Sequence, residues 1–327
     1  MTYIACEVCG SNQHRFLFEG WDRLFWTPGT FKIVECKECG LIFINPQPEL
    51  ETLRKYYPKD YYTPHFSHYR EYSWLRRKVL EAYWGYGRCS NSPRSQNLLK
   101  KMILIPFRIK YRHAIPFVEN GRLLDIGCGN GTELYKLKSM GWEVYGVEID
   151  TDASARARSK GIPVFTGDLF EANYPGHFFD VIRMSFVLEH LPNPKEVLRE
   201  IHRILVPGGK IYISIQNARS LNYWIFRERW FSLDVPRHLF SFTPKTIGRL
   251  LSTLGLEIKT IRYSSGTRTF LVSLQYWLKD RFQRGKEEHR NPAILINQFL
   301  KPLSRPFCWT VDRLGWGDLM HLEVIKA

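Results

Sequence analysis

Residues 122–134, RLLDIGCGNGTEL, limit what this chain can fold into more than any other stretch. Arg122 to Ile126 reads as a short buried strand, and Thr132 to Met140 reads as a helix. Between them Gly127, Gly129 and Gly131 alternate with Cys128 and Asn130. A strand that passes through a glycine turn into a helix aims backbone N–H groups at a ligand, and each missing Cβ lets the ligand approach. The spacing G-x-G-x-G is one residue tighter than the dinucleotide fingerprint G-x-G-x-x-G. Asp125 precedes the first glycine. A second strand, Trp142 to Val147, ends in Glu148, where a carboxylate can accept hydrogen bonds from ribose hydroxyls.

The alternation continues along the chain. Strands are predicted at 122–126, 143–148, 163–166, 179–184, 210–216, 256–264 and 319–325, with helices at 131–140, 151–160, 194–205 and 244–254. Such an order predicts an α/β fold, a largely parallel sheet with helices on both faces. A ligand belongs at the carboxyl ends of strands 122–126 and 179–184, where the strand order reverses.

The acid followed by G-x-G-x-G resembles motif I of the class I S-adenosylmethionine-dependent methyltransferases. Further segments fit that resemblance. Asp168 and Leu169 follow the third strand, where the family binds adenine. Arg183, Met184 and Ser185 end the fourth strand and would pass the sulfonium. Val187-Leu188-Glu189-His190-Leu191 looks like the LEHL segment of small-molecule methyltransferases, and Leu205 to Lys210 is the turn into the next strand. The resemblance implies a Rossmann-like seven-stranded sheet and S-adenosylmethionine held by Asp125, Gly127, Gly129, Gly131, Glu148, Asp168, Leu169, Met184 and Ser185.

Methyl transfer to a hydroxyl needs a base, and histidine titrates near neutral pH. His190 and His238 are the candidates, with His238 ahead. His238 lies in WFSLDVPRHLF, residues 230–240, before an N-capping Thr243 and the first-turn Pro244. This loop resembles the H-E-H-x-x-x-F segment of sugar C-methyltransferases, but Pro236 and Arg237 stand where the first histidine and the glutamate would be. Carbon methylation is therefore disfavoured against O-methylation, and Arg237 is expected to bind an anionic group of the substrate.

Cys6-x-x-Cys9 and Cys36-x-x-Cys39 supply four of the seven cysteines, each pair followed by a glycine, Gly10 or Gly40. Twin knuckles of this kind place four thiolates for tetrahedral zinc, with no open position and hence a structural role. His14 to Phe18, Phe31 to Glu35 and Leu41 to Ile44 read as strands, and Glu49 to Tyr56 as a helix. The stretch through LIFINPQP resembles the N-terminal zinc module of methyltransferases from bacterial sugar, polysaccharide and antibiotic biosynthesis. Tyr56, Tyr57, Tyr61 and Tyr62 either pack between modules or wall a substrate pocket.

Three parts are expected: a zinc-binding module at 1–64, a basic helical connector at 65–120, and a methyltransferase domain at 121–327 with an insertion at about 265–316. In the connector, Trp74 to Leu80 and Leu98 to Tyr111 have helical spacing. In the insertion, helices are expected at 270–282 and 292–299 around a charged stretch at 284–291. The net charge of +15 suits a phosphorylated or lipid-linked sugar, an anionic membrane or nucleic acid. The partner expected is a small molecule, anionic or lipid-linked, with peripheral membrane contact left open. An RNA methyltransferase and a sugar C-methyltransferase are the rival enzymes. A non-enzymatic binding module and a nucleotide-dependent oxidoreductase are the other rivals, the last disfavoured by the glycine spacing. No run reaches the ~18 apolar residues of a membrane span, and the N-terminus lacks a basic-then-apolar signal, so a cytoplasmic location, with the inner membrane face as a peripheral site, is expected.

Overall fold

The computed structural model describes residues 1–58, 71–86, 98–282 and 306–327. Tyr61, Tyr62, Cys89, the charged stretch 284–291 and the helix expected at 292–299 lie outside the described residues.

In chain order the elements are β1 (His14–Gly20), β2 (Phe31–Cys36), β3 (Ile42–Ile44), α1 (Leu50–Arg54), α2 (Trp74–Tyr83), α3 (Leu98–Lys110), β4 (Arg122–Ile126), α4 (Thr132–Lys138), β5 (Glu143–Glu148), α5 (Thr151–Ser159) and β6 (Val164–Thr166). They continue with β7 (Phe179–Ser185), α6 (Pro194–Ile204), β8 (Leu205–Gln216), α7 (Leu221–Phe226), β9 (Phe240–Ser241), α8 (Pro244–Ser252), β10 (Leu256–Ser264), α9 (Thr267–Phe282) and β11 (Leu319–Lys326). The seven-stranded sheet has the order β10-β11-β8-β7-β4-β5-β6. β4 pairs in parallel with β5 on one side and β7 on the other, which puts the reversal of strand order where the α/β reading places it.

By internal packing the chain divides into two compact units: Met1–Pro58 with Phe186–Leu198 and Ile213–Glu323, and Lys59–Ser185 with Arg199–Tyr212 and Val324–Ala327. In the second unit, the buried faces of β4, β5 and β7 pack on α4 and α5 through Leu123, Val144, Val181, Leu134, Leu137 and Ala157. β4 is buried along Leu123 to Ile126, because a parallel strand covered on both faces has no room for polar alternation. Tyr72 and Leu80 join this core, and Trp142 donates its indole N–H to the Tyr86 hydroxyl at 3.1 Å.

In the first unit, β1, β2, β3 and β9 make a four-stranded sheet. The last pairing, Ile42 with Ser241 and Phe43 with Phe240, joins strands about 200 residues apart in the chain. Phe43, Phe240 and Phe242 are fully buried beside it. The loop 227–239, between α7 and β9, is thereby fixed at its end by main-chain pairing. α8 begins at a full capping box, in which Thr243 accepts from the Thr246 N–H and Thr246 accepts from the Thr243 N–H.

Candidate active site and cysteine cluster

The glycine loop between β4 and α4 has the backbone its sequence demands. Gly127, Gly129 and Gly131 all lie at positive φ, 67°, 54° and 73°, which L side chains rarely adopt. Their reasons differ. A Cβ at Gly131 would sit 2.8 Å from the Ala157 Cβ, so this glycine lets α4 and α5 close. A Cβ at Gly129 would meet nothing within 4 Å, so this glycine keeps an open face to which a ligand can come.

Glu148, at the end of β5, is buried and accepts from the N–H groups of Gly129 at 2.7 Å and Asp150 at 2.9 Å. Burial pushes its carboxyl up, and those two N–H groups oppose the shift. Asp125 is 2% exposed, and its Oδ2 accepts from Arg183 Nη1 at 2.6 Å. Burial pushes Asp125 up to about 6 against the pull of that guanidinium. Among the described residues its Oδ1 has no hydrogen-bond partner. An unpaired buried oxygen is costly, and it fits the cationic or N–H-bearing end of a cofactor. Asp168 is exposed and caps its own turn, accepting from the Glu171 N–H at 2.8 Å, while Leu169 and Met184 are buried and Ser185 is half-buried. The predicted cofactor residues of this unit thus fall at one end of β4, β5, β6 and β7.

Arg183, Glu133, Tyr72 and Arg76 were not singled out as partners in the sequence. Glu133 Oε1 accepts from the Tyr72 hydroxyl at 2.5 Å and Arg76 Nη2 at 3.4 Å, and its Oε2 from Lys136 at 3.1 Å. Burial pushes Glu133 up, but the Tyr72 hydroxyl with Arg183, Lys136 and Arg76 outweighs it, so the carboxyl stays below its usual range. The i, i+3 spacing of Glu133 and Lys136 was a visible signal. Tyr72 and Arg76 gave none.

The second cluster lies in the first unit. Glu189 and His190 form a short 3-10 turn, Leu188–His190, and His238 comes from the loop before β9. The His190 and His238 rings meet edge to face with centroids 4.7 Å apart. His238 Nδ1 donates to Ser232 O at 2.8 Å, and His190 Nδ1 donates to Arg237 O at 3.0 Å, beside the Tyr57 hydroxyl at 3.0 Å. Carbonyl partners accept from Nδ1–H and so make Nε2 the nitrogen of each ring whose lone pair can accept. Gln216 Nε2 donates to Glu189 Oε1 at 2.7 Å and lies 3.3 Å from His238 Nε2. Burial, backed by the His238 charge, pushes His190 down to about 3. Burial likewise raises Glu189, with His238 opposing. The two histidines singled out by sequence are therefore neighbours, and Glu189 and Gln216 join them.

Arg237 does not offer a free guanidinium to a substrate. It is wholly buried and donates to Asp22 at 2.7 and 3.1 Å, to Asp234 at 2.6 and 3.0 Å, and to Tyr56 O at 2.9 Å. Its surroundings differ from the expected anion contact because two carboxylates of the chain already neutralise it. Its carbonyl, in turn, orients His190.

Cys6, Cys9, Cys36 and Cys39 converge, with all four Sγ atoms within 4.8 Å of one another. Cys6 and Cys39 sulfurs are 3.4 Å apart, and those of Cys9 and Cys36 3.5 Å. Each knuckle closes through its glycine, Gly10 N–H to Cys6 O at 2.7 Å and Gly40 N–H to Cys36 O at 2.9 Å, both glycines at positive φ. Thiolates around one zinc stand about 3.8 Å apart, so the cluster fits a four-cysteine zinc module.

A family described as "Methyltransferase domain" matches residues 104–261. The chain carries a class I S-adenosylmethionine-dependent methyltransferase domain. The matched residues include the glycine loop, Glu148, the LEH turn and His238. Among curated relatives, a ubiquinone biosynthesis O-methyltransferase of Pseudomonas aeruginosa is 28% identical over 170 residues, covering 48% of this chain and 73% of that protein. One from Burkholderia pseudomallei is 25% identical over 187 residues, covering 52% and 80%. Among solved structures, a SAM-dependent methyltransferase from Archaeoglobus fulgidus covers 68% of this chain and 93% of its own at 22% identity and a TM-score of 0.45. Among the described residues, no helix is long and apolar enough to cross a membrane.

Proposed function

We propose that this methyltransferase acts on the hydroxyl of a small molecule, with the Glu189, His190 and His238 cluster activating that hydroxyl. The observation that carries the reading is the fixed tautomer of His238: its Nδ1–H is held by Ser232 O, so Nε2 is the atom that can take the hydroxyl proton. His190, pushed down to about 3, is a weak base and serves beside it. When bound, S-adenosylmethionine supplies the electrophilic methyl group. Asp125, the glycine loop, Glu148, Asp168, Leu169, Met184 and Ser185 are read as its holders. The O-methyltransferase names of the curated relatives support an oxygen acceptor.

The four-cysteine cluster is read as a structural zinc site, supported by its sulfur spacing. Residues 1–64 form its module, 65–120 a basic connector, and 121–327 the catalytic domain. In α3, Met102, Ile103, Ile105 and Phe107 are exposed beside basic Arg108. That pattern supports an enzyme that touches an anionic membrane or takes an anionic, lipid-linked sugar, and a cytoplasmic location is proposed with it.

The test is incubation with methyl-labelled cofactor and fractions of small molecules, lipids and RNA. Label is expected in a base-stable ether of a small molecule or lipid. His238→Ala should keep cofactor binding and lose at least about a hundredfold in turnover. Label confined to RNA, or full turnover in both His238→Ala and His190→Ala, would sink the reading.

A further inference from the structure

We infer that Glu189, His190 and His238 form a binding site for one divalent first-row cation, separate from the four-cysteine cluster. One carboxylate oxygen and one ring nitrogen from each histidine lie within 4.8 Å of one another. Each ring is already oriented as a metal-bound imidazole is, by a hydrogen bond from its other nitrogen to a backbone carbonyl: Ser232 O for His238, Arg237 O for His190. The other nitrogen of each ring is Nε2, and that of His238 faces the Gln216 amide, which a bound cation would displace.

Glu189 is 0% exposed, and among the described residues its Oε2 has no hydrogen-bond partner. A buried carboxylate oxygen without a partner carries a desolvation cost that a cation would remove. Its other oxygen and His238 Nε2 both converge on the amide nitrogen of Gln216, at 2.7 and 3.3 Å, so a donor dipole stands between two of the three ligands. Ligands about 2.1 Å from a cation stand roughly 3 Å apart. Loading would therefore draw the three donors together by up to about 2 Å, a movement that rotation of the Glu189 side chain supplies in part.

One carboxylate with two imidazoles suits iron, manganese, cobalt or zinc better than magnesium or calcium. Three protein ligands leave positions for another oxygen. This rests on the proposed activation of an acceptor hydroxyl at the cluster, but puts a cation in place of the His238 base, because a ring whose Nε2 holds the cation no longer takes the proton. The acceptor oxygen binds the cation and its proton passes to solvent. The O–C bond then forms as the C–S bond of the cofactor breaks, and sulfur keeps the electron pair. The imidazoles hold the cation in place of the proton.

The experiment is a Co²⁺ titration of the full chain with zinc already in the cysteine cluster, followed by absorption and calorimetry. Cobalt on thiolates gives intense charge-transfer bands, whereas nitrogen and oxygen ligands give only weak d–d bands, so the two sites are told apart. One further Co²⁺ per chain with weak bands is expected, and at least tenfold weaker binding in Glu189→Gln and His238→Asn. Pulsed EPR of wild-type protein with Mn²⁺ should show two coupled imidazole nitrogens, a readout that needs no variant. No cation beyond the cysteine cluster, no imidazole coupling, or equal affinity in folded variants overturns the site. Absent cation binding together with lost turnover in His238→Ala would leave the histidine-base reading standing and overturn this one. Cation binding in wild type together with full turnover in His238→Ala would leave the site and remove its activating role.

Discussion

Replacing Arg237 with methionine removes the cation that two buried carboxylates share. In the native protein the guanidinium makes charge-assisted bonds of 2.6–3.1 Å to Asp22 and Asp234, and Asp22 is fully buried. Removing one partner of a buried ion pair costs about 3–5 kcal/mol, because the other charge stays desolvated. Asp22 keeps N–H donors from Leu24 and Phe25, each at 3.1 Å, which places the expected loss near the lower end. Against a typical total of about 5–15 kcal/mol this is a large fraction. The loss should also depend on pH. Burial alone would raise Asp22 and Asp234, but Arg237 holds both below their ordinary value. Their stabilisation is present above the unfolded value of about 3.9 and is lost as pH falls through the folded one. In the variant burial is opposed only by the remaining N–H donors at Asp22 and by the neighbouring histidines at Asp234, so both carboxyls rise and take up protons at a higher pH than in wild type. The gap between wild type and variant should therefore shrink as pH falls from 7.5 to 5. Urea unfolding followed by tryptophan fluorescence reads both values, since Trp230 is buried in the same unit. A gap under about 1 kcal/mol at pH 7.5, or the same gap at both pH values, would refute the assignment of Arg237 as a buried structural cation.

Two further outcomes follow from the same physics. Metal analysis should find about one zinc per chain, and strong chelators should release it while exposing the thiols of Cys6, Cys9, Cys36 and Cys39 and lowering stability; four freely titratable thiols in the untreated protein would contradict this. Cofactor affinity should fall as pH drops below about 6, where the Asp125 carboxyl takes up its proton, and calorimetry of Asp125→Asn should show weak binding with that dependence removed. The stability linked to Asp125 runs the other way, because a carboxyl raised above its unfolded value favours the fold at low pH and loses that contribution as pH rises through about 6.

Much of the sheet could be read locally. Leu123 to Ile126 and Glu143 to Glu148 are short runs bounded by glycine or helix signals, and the observed strands coincide with those bounds. The knuckle glycines and the Thr243-Pro244 start of α8 were equally local. Pairings across long separations could not be read. β9 has two residues, too few to show a period, and its partner β3 lies at residues 42–44. Arg237 looked like a substrate ligand because Asp22, 215 residues earlier, carries no mark of being its partner. Arg183 faces Asp125 only because β4 and β7 are adjacent in register, a fact of topology rather than of either segment. Glu189 and His190 stood out as a motif, but Gln216 became part of the cluster only through the fold.

The central claim is that the loop from Asp125 to Gly131, with Glu148, holds S-adenosylmethionine. Isothermal titration of the full chain with S-adenosylmethionine tests it most directly, on wild type and on Glu148→Ala. One cofactor per chain is predicted for wild type, with affinity at least tenfold weaker in the variant, since a carboxylate bound to a pair of ligand hydroxyls contributes about 1.5–3 kcal/mol per charged hydrogen bond. No binding to folded wild-type protein, or equal affinity in both, would contradict the account.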